Sequence, residues 1–150
     1  MKLTKVYSSA KIDLYQPEIN GPVELPIIET ALSAGFPSPA EDYIEATLDL
    51  NKELIKNPSS TFFGRVHGSS MIDSGIFDGD ILVIDKSLQP KKDSVLVCFI
   101  DGEFTVKKVE KKGNDLYLKP ENPDFKPIKI APESDFRLWG VVTYSIHKVG

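Results

Sequence analysis

The feature that most constrains the fold is a series of short apolar runs, each bounded by turn residues, that fills the chain from Thr61 onward. The runs cover residues 81–84, 95–100, 104–109, 116–118, 128–130 and 138–146. Asp101 and Gly102 separate two of them and form a pair typical of tight hairpin turns. Runs of this length without a long helix between them predict antiparallel strands. We therefore expect a mainly β fold, a compact and partly closed antiparallel barrel with one or two short helices.

The first forty residues have a different character. They hold five of the eleven prolines, and their apolar residues follow no period. Such a segment predicts an extended or mobile arm. A helix-like pattern follows over residues 39–57, and Asp49 is suited to cap a short helix from Leu50 to Lys56. We accordingly divide the chain into a flexible N-terminal arm, residues 1–38, and a β domain, residues 39–150.

A serine in a glycine-led turn and a lysine in a later strand suggest nucleophilic chemistry. Ser70 lies in the stretch Gly-Ser-Ser-Met, and the strand of residues 104–109 carries Lys107 and Lys108. A serine hydroxyl needs a neighbouring base, and lysine can be that base only where burial lowers its pKa. Alternation along a strand lets either lysine face inward, and Lys108 lies on the more apolar side. Both lysines could instead be solvated on an edge strand.

Four stretches of the chain, taken in order, resemble the LexA/UmuD family of self-cleaving, peptidase S24-like proteins. They are residues 34–40 (Ala-Gly-Phe-Pro-Ser-Pro-Ala), 66–85 (beginning Val-His-Gly-Ser-Ser-Met), 101–108 (Asp-Gly-Glu-Phe-Thr-Val-Lys-Lys) and 118–128 (beginning Leu-Lys-Pro-Glu-Asn-Pro). Within that family the chain looks most like the UmuD branch, whose members are accessory subunits of translesion DNA polymerase V. Two positions depart from the family: His67 stands where relatives commonly carry serine, and Ala34 replaces the cysteine of some UmuD proteins.

The resemblance implies a role for each of the candidate residues. Ser70, directly before Met71, is the expected nucleophile, and the resemblance selects Lys107 as its base. The backbone amides of Ser69 and Ser70 are the candidate oxyanion donors. The bond between Ala34 and Gly35 is the expected substrate, which the same chain carries. No metal or other cofactor is implied.

The resemblance also implies a biological role that composition and spacing do not give. Members of this branch are serine endopeptidases that act mainly on themselves during the SOS response to DNA damage. RecA filaments on single-stranded DNA stimulate the cut, and the shortened homodimer joins a Y-family polymerase that copies damaged DNA with errors. We expect the same of this chain.

Composition excludes several other classes of protein. A net charge of −4 argues against direct, sequence-specific DNA binding, which needs a basic surface. No apolar run approaches the length of a membrane span and no signal peptide follows Met1, so we expect a cytoplasmic protein. The single cysteine, Cys98, allows no internal disulfide and lies in an apolar run typical of a core strand. Aspartates beside Gly75 and Gly79 fit turns better than a metal site.

Three alternatives remain open at the level of the sequence. A LexA-like or phage-type repressor would need a helix-turn-helix before Gly35, where the chain is broken by proline. A signal-peptidase-like enzyme acting on other proteins would normally need a membrane anchor. A non-enzymatic β adapter would keep the fold without the chemistry. His67, close to Ser70 in sequence, is a conceivable but less favoured base.

Overall fold

A computed structural model describes residues 2–18, 24–28 and 44–150, with the backbone alone for 24–28 and 44–48. The strands are β1 (Lys2–Ser8), β2 (Ile12–Glu18), β3 (Glu24–Ile28), β4 (Ile44–Asp49), β5 (Thr61–Val66), β6 (Ile81–Asp85), β7 (Leu96–Ile100), β8 (Glu103–Lys112), β9 (Asp115–Lys119), β10 (Ile128–Lys129) and β11 (Phe136–Ile146). The α-helix α1 (Leu50–Leu54) and 3-10 turns at Pro58–Ser60 and Ile72–Ser74 complete the described elements. The prediction of a mainly β fold is confirmed.

Nine of the described strands form one antiparallel sheet. Its strand order is β1-β2-β5-β6-β11-β7-β8-β9-β10, while β3 and β4 pair with each other. The last strand in the sequence, β11, therefore lies in the middle of the sheet, between β6 and β7. It joins the half of the sheet that contains β5 to the half that contains β8.

The large sheet curls strongly, so that β2 approaches β8 from across the core. The rings of Tyr7 and Phe104 meet edge to face with centroids 4.7 Å apart. Beside them, Lys11 Nζ lies 3.2 Å from Glu103 Oε2. In the part of the chain that the structure describes, no backbone pairing closes this gap. The sheet is thus an open one that approaches a barrel through side-chain contacts alone.

The main core fills the inside of this curl. Its fully buried members come from both halves of the sheet and from the segment after β5: Ile12, Leu14, Val66, Met71, Ile76, Leu82, Ile84, Val97 and Val106. Ile12 packs over Gly64 of β5: a Cβ at that position would lie 2.9 Å from Ile12 Cδ1 and 3.1 Å from Ile84 Cδ1, so these side-chain ends would have to shift. Burial of these aliphatic side chains is the main stabilising contribution to the fold.

The predicted turn at Asp101 and Gly102 and the predicted cap at Asp49 are confirmed, whereas part of the predicted helix is a strand. Asp101 and Gly102 both have positive φ, 46° and 89°, as the tight turn between β7 and β8 requires. Asp49 caps α1 by accepting hydrogen bonds from the backbone amides of Asn51 and Lys52, although the helix ends at Leu54. The helical prediction was wrong for residues 44–49, which form β4 and pair with β3. A short apolar pattern fits both periods, and here strand pairing decides between them.

The N-terminal segment contains more structure than the sequence analysis expected. Residues 2–8 and 12–18 form a β-hairpin, and β2 continues the large sheet by pairing with β5. The alternation of Ile12, Asp13, Leu14 and Tyr15 was the signal for this strand, but it is only four residues long. The boundary at residues 38 and 39 lies outside the described residues and stays a prediction.

Candidate active site

The turn after β5, residues 67–71, places Ser70 at the surface of a cavity. We call these residues the serine turn. Gly68 has φ +95°, a conformation that side chains disfavour, and its amide donates to Asp78 Oδ1 at 2.8 Å. Met71 is 2% exposed and fixes the end of the turn in the core. The glycine therefore allows the chain to reverse direction, and the buried methionine anchors the turn directly after Ser70.

Lys107 on β8 reaches the serine turn from the other half of the sheet. Its Nζ lies 2.8 Å from Ser70 Oγ, 3.2 Å from Thr105 Oγ1 and 3.0 Å from the carbonyl oxygen of Val106. Burial and, to a smaller extent, the positive charge of Lys11 lower the pKa of the Lys107 ammonium to about 8. A minority of this amine is therefore neutral near physiological pH, but far more of it than of an exposed lysine.

The three oxygen neighbours of the Lys107 amine are compatible with its neutral form as well as with the ammonium. A neutral amine has two N–H groups and one lone pair. If the N–H groups donate to Thr105 Oγ1 and to the Val106 carbonyl, the lone pair is left for the hydroxyl proton of Ser70. This is the arrangement that a general base requires, with nucleophile and base within hydrogen-bond distance.

Lys108 points elsewhere. Its Nζ forms an ion pair with Glu121 Oε1 at 2.9 Å, and both side chains are about four-fifths buried. Lys107, by contrast, shares its face of β8 with Thr105, which is 4% exposed. Of the two adjacent lysines, the structure brings Lys107 to Ser70 and places Lys108 against a loop.

That loop, residues 120–127 between β9 and β10, forms hydrogen bonds to the backbone of the serine turn. We call it the Asn122 loop. Asn122 Nδ2 donates to the carbonyl of Ser69 at 2.8 Å, and the amide of Glu121 donates to the carbonyl of Ser70 at 2.8 Å. The amide of Asp73 donates to the carbonyl of Glu121 at 2.7 Å. Sequence reasoning singled out this stretch only as a family pattern, because nothing local links it to residues some fifty positions earlier.

The two amides proposed as oxyanion donors have no acceptor among the described residues. Within residues 2–18, 24–28 and 44–150, the backbone N–H groups of Ser69 and Ser70 donate no hydrogen bond. The carbonyls of the same two residues are both occupied by the Asn122 loop. At Ser69 and Ser70, within the described part of the chain, the backbone donors and not the carbonyl acceptors are thus left without a partner, as stabilisation of an oxyanion requires.

A cavity of about 260 Å³ opens beside Ser70 and Lys107. Its walls are largely apolar and include Ile100, Leu118, Phe125 and Ile128. Lys11, in the turn just before β2, also lines the cavity. Such a cleft suits an extended peptide with small and apolar side chains better than a charged ligand.

Two other candidate side chains are His67, which has a structural partner, and Cys98, which lies in the core. His67 Nε2 lies 3.0 Å from Asp13 Oδ2, which pairs the histidine with β2. Cys98 is fully buried, as predicted, and burial raises the pKa of its thiol to about 12.

Among the described residues, no three histidine, cysteine, aspartate or glutamate side chains cluster in a way that could hold a metal ion. No helix in the same part of the chain is long and apolar enough to span a bilayer.

The proposed scissile bond cannot be placed relative to this site, because Ala34 and Gly35 lie outside the described residues. Its position stays a prediction. The backbone on either side of it is described, since β3 precedes it and β4 follows it.

Comparison with known proteins assigns the chain to a family. The Peptidase S24-like family model matches residues 26–143. Protein MucA of Salmonella typhimurium is 41% identical over 138 residues, covering 91% of this chain and 94% of that protein. Protein SamA (strain LT2) and Protein ImpA of the same organism are 42% and 40% identical, and each alignment covers 82% of this chain with 85% and 83% of those proteins.

The chain belongs to the Peptidase S24-like family. The predicted kinship with the LexA/UmuD family and its UmuD-like branch is confirmed, and so is the class of activity: the chain is a self-cleaving serine peptidase. The family assignment gives the proximity of Ser70 and Lys107 a chemical meaning, because a serine peptidase needs a base beside its nucleophile.

Proposed function

We propose that this protein cuts its own chain between Ala34 and Gly35 with Ser70 as nucleophile and Lys107 as general base. The observation that carries the proposal is the 2.8 Å contact between Lys107 Nζ and Ser70 Oγ, with the pKa of the lysine lowered by burial. Ser70 Oγ attacks the carbonyl carbon of Ala34 while Lys107 takes the hydroxyl proton. The amides of Ser69 and Ser70 stabilise the oxyanion.

The second half of the reaction reuses the same groups. As the bond from the Ala34 carbonyl to the Gly35 nitrogen breaks, the Lys107 ammonium returns its proton to the leaving amine. A water molecule, deprotonated by the now neutral lysine, then hydrolyses the ester on Ser70. The products are residues 1–34 with a new carboxylate and residues 35–150 with a new amino terminus.

We further propose that cleavage serves translesion DNA synthesis in the SOS response. Kinship with the UmuD-like branch supports this role. A RecA filament on single-stranded DNA favours the arrangement in which the chain around Ala34 enters the cavity, which is a shift of population and not new chemistry. The cleaved homodimer then acts as the accessory subunit of a Y-family polymerase in the cytoplasm.

The test is to incubate the purified protein at alkaline pH, or at neutral pH with RecA filaments, and to measure the masses of the fragments by denaturing mass spectrometry. We expect masses corresponding to residues 1–34 and 35–150, and intact protein only for Ser70→Ala. A cut at another bond, or no cut with an active filament present, would overturn the assignment.

A further inference from the structure

We infer that the N-terminal product of self-cleavage stays bound to the rest of the protein as strands β1 to β3. The cut then yields a nicked, two-piece molecule and does not release residues 1–34. This inference rests on the proposed cleavage between Ala34 and Gly35. It concerns what holds the two pieces together afterwards.

Backbone pairing connects the two pieces at two places. β2, which precedes the cut, pairs with β5, which follows it, through four residue pairs from Ile12↔Val66 to Tyr15↔Phe63. β3 pairs with β4 on the other side of the cut through five residue pairs. A cut between β3 and β4 breaks none of these hydrogen bonds.

The hairpin also supplies part of the main core. Ile12 is fully buried and Leu14 is 1% exposed, and both belong to the same cluster as Val66 and Met71 of the serine turn region. The absence of a side chain at Gly64 makes room for Ile12, whose Cδ1 occupies the space that a larger residue would need. Release of the N-terminal piece would remove Ile12 and Leu14 from the core and expose the apolar side chains around them to water.

Polar contacts fix the hairpin beside the active site. Asp13 Oδ2 lies 3.0 Å from His67 Nε2, and the amide of His67 donates to the carbonyl of Lys11 at 2.9 Å. Ser8 Oγ in turn donates to Asp13 Oδ1 at 2.6 Å. The two strands of the hairpin are therefore tied to the serine turn as well as to the core.

Retention has a consequence for what a partner protein meets after the cut. The edge of β5 stays covered by β2, so no new sheet edge becomes available for strand addition. The change then lies in the chain between β3 and β4, where the cut makes two new ends. A partner that distinguishes the cut protein from the uncut one must do so near those ends.

The test separates cleavage from retention. Full-length protein is cut to completion, which denaturing mass spectrometry verifies, and then passes through a size-exclusion column in native buffer. We expect residues 1–34 and 35–150 to elute together in equal amounts and to separate only in denaturant. Elution of residues 1–34 alone from the wild-type protein would overturn the inference.

A second arm makes the test independent of self-cleavage. In the Ser70→Ala background, a recognition site for an added protease replaces residues 33–38, so that the protease makes the nick. Failure of self-cleavage then counts against the proposed function, while the column still decides retention. Co-elution in this arm supports the inference, and separation refutes it.

Variants on β2 locate the contact that holds the piece. Ile12→Ala should weaken retention by roughly tenfold or more, because a buried aliphatic side chain is lost. Gln16→Ala, at an exposed position of the same strand, is the matched control and should change nothing. If Ile12→Ala does not fold before the cut, the smaller change Ile12→Val takes its place. If the Ile12 variant and Gln16→Ala retained the N-terminal piece equally well, the packing of Ile12 would not be what holds that piece.

Discussion

The serine turn and the N-terminal hairpin, residues 2–18, lie side by side but are held in place by different forces. The turn depends on a few hydrogen bonds from the Asn122 loop, on Asp78 and on one buried side chain, Met71. The hairpin depends on strand pairing and on the burial of Ile12 and Leu14. Hydrogen bonds to a turn fix geometry at small net free energy, whereas buried aliphatic groups contribute several times more to stability. Changes at the turn should therefore alter the rate of cleavage, and changes at the hairpin should alter folding.

The largest effect should come from the two reacting groups. Ser70→Ala and Lys107→Ala should each slow self-cleavage by roughly a thousandfold or more, without lowering the melting temperature, and the double variant should be no slower because the two residues act together. The measurement is the fraction of intact chain over time by denaturing mass spectrometry. Ser69→Ala and Lys108→Ala are the neighbouring controls and should retain substantial activity. Normal cleavage by Lys107→Ala would show that another residue, such as His67, is the base.

The pH dependence should follow the protonation of Lys107. Only the neutral amine can accept the Ser70 proton, and the pKa of this lysine is lowered to about 8 by burial. The spontaneous rate should therefore rise about tenfold per pH unit below pH 8 and level off above it. Rates measured from pH 6 to pH 10 check this. A rate that stayed constant over that range would exclude a lysine base.

The hairpin should respond in stability. Gly64→Ala places a Cβ 2.9 Å from Ile12 Cδ1 and should lower the free energy of unfolding by about 1–3 kcal/mol. Ile12→Val removes that Cδ1 atom, so the loss caused by Gly64→Ala should be smaller in the Ile12→Val background than in the Ile12 background. Urea unfolding of the uncut Ser70→Ala protein measures both losses. If Gly64→Ala cost the same in the two backgrounds, Ile12 would not be packed against residue 64 as described.

The smallest of these effects should come from the Asn122 loop. Asn122→Ala removes the hydrogen bond to the Ser69 carbonyl and should slow cleavage by about tenfold, with little change in melting temperature. The pH at which the rate levels off should stay near 8, because Lys107 keeps its surroundings. Asn114→Ala, at an exposed turn residue, serves as the control. A tenfold loss that vanished at low temperature together with a lowered melting point would indicate partial unfolding instead.

The sequence predicts those parts of this structure that depend on neighbouring residues. The turn at Asp101 and Gly102 and the cap at Asp49 follow from local chemistry, and both are confirmed. The apolar runs likewise predict the strands from β6 onward. The strand at residues 44–49 was missed because its pairing with β3 overrides a short, ambiguous pattern.

Contacts between distant residues account for what could not be predicted at the site. Alternation along the strand allows either Lys107 or Lys108 to face inward, and Lys108 is on the more apolar side. The structure separates them because Glu121, on a loop later in the chain, pairs with Lys108 and leaves Lys107 to Ser70. The resemblance to a family selected the same lysine as the structure places beside the serine. Its catalytic role stays a prediction until the variants are measured.

The central position of β11 affects the order in which the molecule becomes able to react. Ser70 follows β5 and Lys107 lies on β8, and among the described strands backbone pairing connects β5 to β8 through β6, β11 and β7. While the chain is being made, residues 136–146 leave the ribosome after both reactive groups. Pairings between strands so far apart in sequence form slowly, after the local hairpins. A nascent chain therefore carries its nucleophile and its base before the strand that joins their two halves of the sheet has been made.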